Sequence, residues 1–345
     1  MKRIILGVLL LSLMTTLTSC SQVKPRTVER SIYYWRSSFS LNKSEYYDLQ
    51  SLKIQRIYLK FFDVIWEGKP IPEAEIRFKT KPSESLDIVP TIFITNSTIK
   101  NLAIGDIKGL AEKIGRKTLR IAQKNLAQPI AEIQLDCDWT ASTREKYFLL
   151  LKEIQELFLD KRIKVSTTIR LHQVKFYQRT GVPPVERGIL MTYNVAPVNE
   201  IKTRNSIFDI TLVKDYTRHI GEYPIDLDVA LPIFSWGVVF QDNRFIGLIN
   251  NIGIENFQNK QYFQRRSGHL IDVIKDTEVK GFRLYHGDTV RFESADSREV
   301  LAVSKYLSQK IRSRRIKIVL YHFDDLTLRR TGYAEMEKFF TAFNR

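Results

Sequence analysis

Eight short apolar segments, separated by longer amphipathic ones, run along most of this sequence and restrict its fold more than any other feature. The apolar segments are rich in β-branched and aromatic residues, which is typical of buried strands. We assign strands to residues 31–35, 56–62, 88–94, 131–136, 164–169, 188–193, 226–233 and 316–322. Helices are predicted at residues 41–52, 104–125, 143–159, 173–179, 210–220, 298–312 and 333–343.

Buried strands that alternate with helices predict a parallel sheet covered on both faces, because right-handed crossovers place each helix outside the sheet. Eight such units close most economically into a barrel. A doubly wound open sheet is the alternative, but it needs a glycine-rich turn after the first strand, and residues 36–39 contain no glycine. We therefore predict an α/β fold, a (β/α)8 TIM barrel.

Residues 237–297 interrupt this alternation with turns and short strand-like segments. We predict that they form an elaborated loop after the seventh strand. Since no linker or longer repeat marks a second domain, we assign residues 31–345 to a single barrel domain, with a tether at residues 20–30.

The first twenty residues have the layout of a bacterial secretory signal. A basic start precedes the apolar run 4–13, which is too short to span a bilayer. The segment ends in Leu17-Thr18-Ser19-Cys20, which resembles a lipobox, the motif whose cysteine becomes the lipidated first residue of the mature protein. We predict a signal peptide over residues 1–19 and a lipid on Cys20. The protein is then anchored to a membrane of the cell envelope, preferentially the outer membrane, and faces the periplasm or the cell surface.

The cysteine count and the net charge limit the disulfides and the binding partners that the protein can have. With Cys20 lipidated, Cys137 has no partner for an intrachain disulfide, and we interpret it as a small buried hydrophobe. The net charge is +16, and the cluster Lys310 to Arg315 could contact anionic headgroups or acidic glycans; solvated helix faces are the simpler explanation. No nucleic-acid motif is present, so we expect no nucleic-acid partner.

Asp136 and Asp138 end the predicted fourth strand. Residues two apart on a strand face the same side, so both carboxylates should point into the mouth of the barrel, where this fold forms active sites. Buried acids are costly unless they are used or satisfied. We predict that both are catalytic; the alternative is a structural pairing with Arg170 at the end of the next strand.

Three motifs at strand ends carry a resemblance to a known family. LDCDW at residues 135–139, LMTYN at 190–194 and ALPIF at 230–234 are similar to the fourth, sixth and seventh strands of family-eighteen chitinases and related glycoside hydrolases. The chain also resembles a family of bacterial lipoproteins with a glycoside-hydrolase-like barrel, which shares the late GDTVRFE segment found here at 287–293. The resemblance implies a barrel that acts on a glycan at its C-terminal mouth.

Two positions depart from the chitinase pattern. The family's general acid is a glutamate two positions after the second aspartate, where this chain has Thr140. A threonine hydroxyl cannot protonate a glycosidic oxygen at neutral pH. The sixth strand keeps Tyr193, which we count among the catalytic candidates, but replaces the family's aspartate with Asn194. The family's chemistry is therefore not directly transferable.

Two functions remain open from the sequence. In the first, the protein is a glycoside hydrolase in which Asp138 works with a second carboxylate, and the candidates are Asp63, Asp288, Asp324 and Asp325. In the second, it binds a glycan or another envelope component and catalyses no reaction.

The remaining candidates for substrate binding lie at or just after strand ends, where aromatic faces can stack on sugar rings. They are Trp35, Asp63, Trp139, Arg170, Asn194, Trp236, Tyr321 and His322. Packing between barrel and helices is the alternative for each aromatic residue, and a structural hydrogen bond is the alternative for His322. The histidine spacing matches no zinc motif, so we predict no metal and no cofactor. We expect a monomer.

Overall fold

The computed structural model describes residues 26–266 and 268–344, so Cys20 and the predicted signal peptide lie outside the described residues. Eight strands form a closed barrel: β1 Thr27–Tyr34, β2 Arg56–Trp66, β3 Asp87–Ile94, β4 Glu132–Asp136, β5 Lys164–Arg170, β6 Arg187–Met191, β7 Asp226–Pro232 and β8 Arg315–Tyr321. Neighbouring strands are parallel, and β1 pairs with both β2 and β8, which closes the sheet. The predicted (β/α)8 TIM barrel is confirmed.

Each predicted strand overlaps one strand of the barrel, and the boundaries differ most at the first. β1 begins at Thr27 opposite Arg315 of β8, four residues before the predicted start. Residues 27–30, which we had assigned to the tether, therefore belong to the barrel. Three of these four side chains are polar, and pairing with a strand almost 290 positions away orders the segment as sheet.

In the part of the chain that the structure describes, ten α-helices surround or extend the barrel: α1 Lys43–Ser51, α2 Asn96–Asn101, α3 Ile107–Asn125, α4 Arg144–Phe158, α5 Leu171–Lys175, α6 Tyr177–Thr180, α7 Ile210–Tyr216, α8 Ser297–Lys310, α9 Asp325–Thr331 and α10 Tyr333–Thr341. Single 3-10 turns occur at Ile104–Asp106, Ile220–Glu222 and Ile254–Phe257. The helix predicted at 173–179 is two short helices, because the backbone of Phe176 (φ −114°, ψ 34°) leaves the helical region between α5 and α6. In the described part of the chain, no helix is both long and apolar enough to cross a bilayer.

One continuous hydrophobic core fills the barrel and the layer beneath its helices. Helix α3 shows how the pattern produces it: Ile107, Leu110, Ile114 and Ile121 are buried at helical spacing, whereas Arg116 is exposed. Cys137 is buried within the same core, as predicted.

The segment after β7 forms a five-stranded antiparallel sheet with its own small core. Its strands are Ser235–Gln241, Arg244–Asn250, Phe263–Arg265, Leu270–Val273 and Thr289–Ser294, and a hairpin of Thr277–Val279 with Phe282–Leu284 packs beside them. The sheet starts two residues before the predicted insertion, directly after β7. The sequence did not predict Ser235–Gln241 as a strand. One of its partners, Arg244–Asn250, follows directly, but the other, Thr289–Ser294, lies about 50 positions further on. The other short strands are Pro70–Glu73, which extends the barrel sheet beside β2, and the pair Ser38–Phe39 and Arg77–Phe78.

Candidate functional site

An ion pair between Asp138 and Arg170 lies at the C-terminal mouth of the barrel. Strand β4 pairs with β5 at a constant offset, with Leu135 opposite Thr167, and that register continued brings Asp138 beside Arg170. Arg170 donates from Nε to one carboxylate oxygen and from Nη2 to the other, the latter at 2.8 Å. Such bidentate, charge-assisted bonds are the strong ones. Arg170 therefore balances the charge of the Asp138 carboxylate, which is the structural pairing expected as the alternative to a catalytic role.

The ion pair is not sealed, because a cleft of about 240 Å³ opens over it. The side chain of Asp138 is 41% exposed and that of Arg170 is 20% exposed. The cleft is lined by Asp138, Arg170, Leu171, His172, Tyr193, Asn194, Val195 and Tyr216. Four of the predicted site residues are thus brought together. His172 and Tyr216 were missed, although His172 directly follows a strand end, where this fold places its functional groups.

Asp136 lies below the cleft and differs sharply from its neighbour. It is only 4% exposed and accepts a 2.6 Å hydrogen bond from the hydroxyl of Thr168. Burial, together with the negative charge of Asp138, raises the pKa of Asp136 to about 6, although Arg170 and the Thr168 bond act in the opposite direction. Asp136 thus holds a proton more readily than an ordinary carboxyl, but it is not accessible to a ligand as bulky as a sugar.

Tyr193 contributes to the floor of the cleft. Its ring stacks on that of Tyr321 with centroids 4.6 Å apart. Its hydroxyl is buried and has no hydrogen-bond partner among the residues that the structure describes. Burial raises the pKa of Tyr193 well above the usual value, so the hydroxyl keeps its proton and can donate it. Nη1 of Arg170 is a second buried donor without a partner in the described ranges.

The position of the family's general acid carries no acid here. Thr140 is exposed in the turn that leads into α4. Its hydroxyl lies 2.9 Å from that of Ser142, and its backbone N–H donates to the hydroxyl of Thr143. The residue therefore takes part in the hydrogen bonds of a turn and offers no proton to a bond in the cleft.

The prediction that Trp139 binds substrate is wrong. Its side chain is fully buried, its Nε1 donates to the carbonyl of Thr180 at 3.0 Å, and its ring stacks on Tyr147 of α4 with centroids 5.3 Å apart. Neighbouring residues of an extended segment point in opposite directions, so a tryptophan next to Asp138 faces the helices.

The other two predicted tryptophans are half-buried and more distant from the ion pair. Trp35 packs near Tyr321, and the amine of Lys60 lies 5.8 Å from its ring centroid. The same amine binds the carboxylate of Asp63 at 2.9 Å. Trp236 is on the first strand of the insertion and donates its Nε1 proton to Glu293 at 2.7 Å.

Asp288 does not face the mouth, so its prediction as the second carboxylate is wrong. It is buried in the insertion, where it accepts hydrogen bonds from the backbone N–H of Tyr285 at 2.8 Å and from the side-chain amide of Gln241. The GDTVRFE segment places it in a turn that enters a strand of the insertion sheet.

Asp324 is engaged at the beginning of α9. It caps this helix by accepting the backbone N–H of Thr327, binds the amide of Asn251 at 3.0 Å and lies 3.8 Å from a guanidinium nitrogen of Arg36. Asp325 is the first residue of α9. Of the proposed second carboxylates whose side chains are described, Asp288 and Asp324 accept several hydrogen bonds. Asp63 pairs with Lys60 through one oxygen, and its buried Oδ1 has no partner among the described residues.

His322 follows β8 and has a buried Nδ1 atom with no hydrogen-bond partner among the described residues. Burial lowers its pKa to about 4, so the ring is neutral at physiological pH. Within residues 26–266 and 268–344, no three acidic, histidine or cysteine side chains are placed to hold a metal ion.

The barrel fold is shared with solved structures of other proteins. The chain is similar to the C-terminal domain of a putative chitinase from Desulfitobacterium hafniense (TM-score 0.57, 10% identity, 91% of this chain and 99% of that one). It is also similar to the spore cortex-lytic enzyme SleL of Bacillus megaterium (0.54, 11%, 91% and 74%) and to a chitinase from Chromobacterium violaceum (0.52, 12%, 91% and 98%). No protein-family model and no curated protein sequence matches the chain. At these identities the likeness shows the fold alone, a (β/α)8 barrel.

Proposed function

We propose that this protein binds a glycan in the cleft at the mouth of its barrel and does not cleave it. The observation that supports this best is the bidentate ion pair of Asp138 with Arg170, formed while Thr140 occupies the position of the general acid. The carboxylate that the family pattern places in the reaction centre is bound to a cation, and the proton donor is missing.

The argument against hydrolysis is chemical. Cleavage of a glycosidic bond needs two carboxyl groups that flank it, one of them carrying a proton. Asp136 has the raised pKa of an acid, yet it is buried under the cleft and bonded to Thr168. Asp138 is accessible, but both of its oxygens are bound by Arg170, which weakens the carboxylate as a nucleophile.

The same groups suit recognition of hydroxyl-rich ligands. The outer edge of the ion pair presents carboxylate lone pairs to the cleft, and the Arg170 side chain, 20% exposed, adds N–H donors. Asn194 adds an amide, and Tyr216 adds an aromatic wall at the cleft edge. A few convergent polar groups beside an apolar surface are the usual composition of a sugar-binding pocket.

In the same proposal, a lipid on Cys20 anchors the protein to a membrane of the bacterial envelope, preferentially the outer membrane. The domain then faces the periplasm or the cell surface as a monomer. The support is the Leu17-Thr18-Ser19-Cys20 motif after a short apolar run. Metabolic labelling with a palmitate analogue should label the wild-type chain and not Cys20→Ser.

Binding can be tested with the mature Cys20→Ser chain on a glycan array, followed by calorimetry on the ligands found. Asn194→Ala and Tyr216→Ala should weaken binding at least tenfold. Tyr285→Ala removes an exposed aromatic residue of the insertion and should change the glycan affinity less than twofold. Trp236→Ala should weaken only the binding of longer oligosaccharides, because Trp236 lies outside the cleft lining.

A reducing-end assay with the same ligands separates the two functions. We expect no reducing ends after long incubation. Steady release that Asp138→Asn or Asp136→Asn abolishes would replace binding with hydrolysis, and an array without any ligand would remove the glycan altogether.

A further inference from the structure

The described chain starts at the end of the barrel opposite the cleft, in contact with a basic loop. The guanidinium of Arg26 donates to the carbonyl oxygens of Ser313 at 2.9 Å and Ser308 at 3.2 Å. The backbone N–H of Thr27 donates to the carbonyl of Arg314 at 2.8 Å. The loop between α8 and β8 therefore holds the start of the barrel at its base.

The predicted lipidation site is close to this loop along the chain. Six residues, 21–26, separate Cys20 from Thr27. An extended chain spans at most about 3.6 Å per residue, so the Cα atoms of Cys20 and Thr27 are at most about 25 Å apart. The cleft lies beyond the other end of β1, whose eight residues add about 23 Å along the strand. A lipid on Cys20 thus attaches the protein through its base, and because the tether is about as long as the barrel, a second contact is needed to fix which end faces the membrane.

The base exposes positive charge around this point. Arg312, Arg314 and Arg315 are exposed in or next to the loop, and Lys161 and Arg162 are exposed in the loop before β5, at the same end of the barrel. We call these five residues the basal patch. Arg315 forms an ion pair with Glu29 at 3.0 Å, but its side chain remains 74% exposed and available to a second anion.

Acidic residues also lie at the base, and most of them are paired with cations outside the basal patch. Exposed Asp226 pairs with Arg187 at 2.9 Å and exposed Glu186 with Lys164 at 3.3 Å, whereas Asp160 is exposed next to Lys161 and offsets part of the patch's charge. Buried Asp228 is bonded to Arg187 at 2.8 Å, and Lys317 lies near both Asp228 and Glu132. These pairs are internal to the barrel end, so they cancel one another. The positive charge of the exposed rim is left to face the surroundings.

We propose that the base of the barrel docks on anionic lipid headgroups through the basal patch, together with the lipid on Cys20. Lipid and basic residues are the two signals that stable attachment needs, and each cation near an anionic surface strengthens binding about fivefold. Docking through the base directs the cleft away from the membrane, where a glycan can enter it. The inference rests on the proposed lipidation and is independent of what the cleft binds.

Vesicle co-sedimentation tests the patch without the lipid. The mature Cys20→Ser chain should bind vesicles with 30% phosphatidylglycerol and not vesicles of phosphatidylcholine alone, and 0.5 M salt should release it. Arg312→Gln, Arg314→Gln and Arg315→Gln combined should lower partitioning at least tenfold. The matched control, Arg244→Gln, Lys260→Gln and Arg265→Gln, removes three exposed cations from the insertion and should lower it less than threefold.

Orientation is tested on the lipidated protein with a fluorophore on an introduced cysteine, since Cys137 is buried. A dye at Gln128→Cys, at the base, should transfer energy strongly to an acceptor in the bilayer, and one at Gln264→Cys, on the insertion, should transfer much less. Equal losses of vesicle binding in the two triple variants, no preference for anionic vesicles, or equal transfer from both dyes would each overturn the proposal. None of these results bears on glycan binding, which the array measures separately.

Discussion

Arg170, the last residue of β5, donates hydrogen bonds to both carboxylate oxygens of Asp138, which follows β4. The register of the two strands creates this contact, so it is built into the barrel wall. Because of this contact, Asp138 is one member of an ion pair that faces a cleft.

The strength of this pair can be measured. Arg170→Met leaves Asp138 without its cation and should lower the free energy of unfolding by about 1–3 kcal/mol, between the values for exposed and buried pairs. Asp138→Asn should cost less, because the amide still accepts from Arg170. Urea denaturation of both single variants and the double variant gives the coupling energy, which we expect to be at least about 0.5 kcal/mol. Strictly additive effects would contradict a direct interaction.

Asp136 should make stability depend on pH. Its folded pKa of about 6 lies above the value of about 4 for an unfolded aspartate, so the folded protein binds this proton more tightly. The stabilisation that protonation provides is complete below pH 4 and lost as the pH rises through 6. Asp136→Asn cannot ionise. Its stability relative to wild type should therefore rise by about 2–3 kcal/mol between pH 4 and pH 7.5.

Chemical denaturation at both pH values measures this difference. A difference between Asp136→Asn and wild type that does not vary with pH would mean that Asp136 has an ordinary pKa.

Glu293 should be needed for the insertion to join the barrel. It is fully buried and accepts from Arg291 at 2.6 Å, from Ser206 at 2.5 Å and from the indole of Trp236. Arg291 in turn donates to the carbonyls of Val198 and Glu200, in the loop after β6. Glu293→Ala leaves a buried guanidinium unpaired and should cost about 3–5 kcal/mol in thermal or urea unfolding.

Glu293→Gln separates charge from hydrogen bonding in this cluster. The amide oxygen can still accept from Trp236 and Ser206, so we expect a smaller loss than with alanine. A loss as small as that of an exposed pair, below about 1 kcal/mol for Glu293→Ala, would refute the structural role.

Trp139 should behave as a packing residue despite its place beside Asp138. Trp139→Phe loses the hydrogen bond to Thr180 and part of the stack on Tyr147, and should cost about 1–3 kcal/mol. Glycan affinity of the folded variant should stay within twofold of wild type. A tenfold loss of affinity at unchanged stability would return Trp139 to the site.

Periodicity along the sequence was enough to predict the barrel and to predict which residues at the end of a strand share a face. Eight buried strands in alternation with helices leave a parallel barrel as the economical solution, and strand period places Asp136 and Asp138 on the side opposite Cys137. Both inferences depend on local periodicity, which acts over a few residues and can be read directly. The loss of the general acid at Thr140 is visible in the same way.

The contacts of the two aspartates depend on the folded chain, which brings distant positions together. Asp138 meets Arg170 from 32 positions away, Asp136 meets Thr168 at the same separation, and Arg26 meets the loop before β8 across 287 positions. Charge, burial and pKa follow from such contacts, because a carboxylate is stabilised by whichever cation or donor the folded chain brings within hydrogen-bond distance. One aspartate is therefore paired and exposed, and the other is buried with a raised pKa, although they are two residues apart.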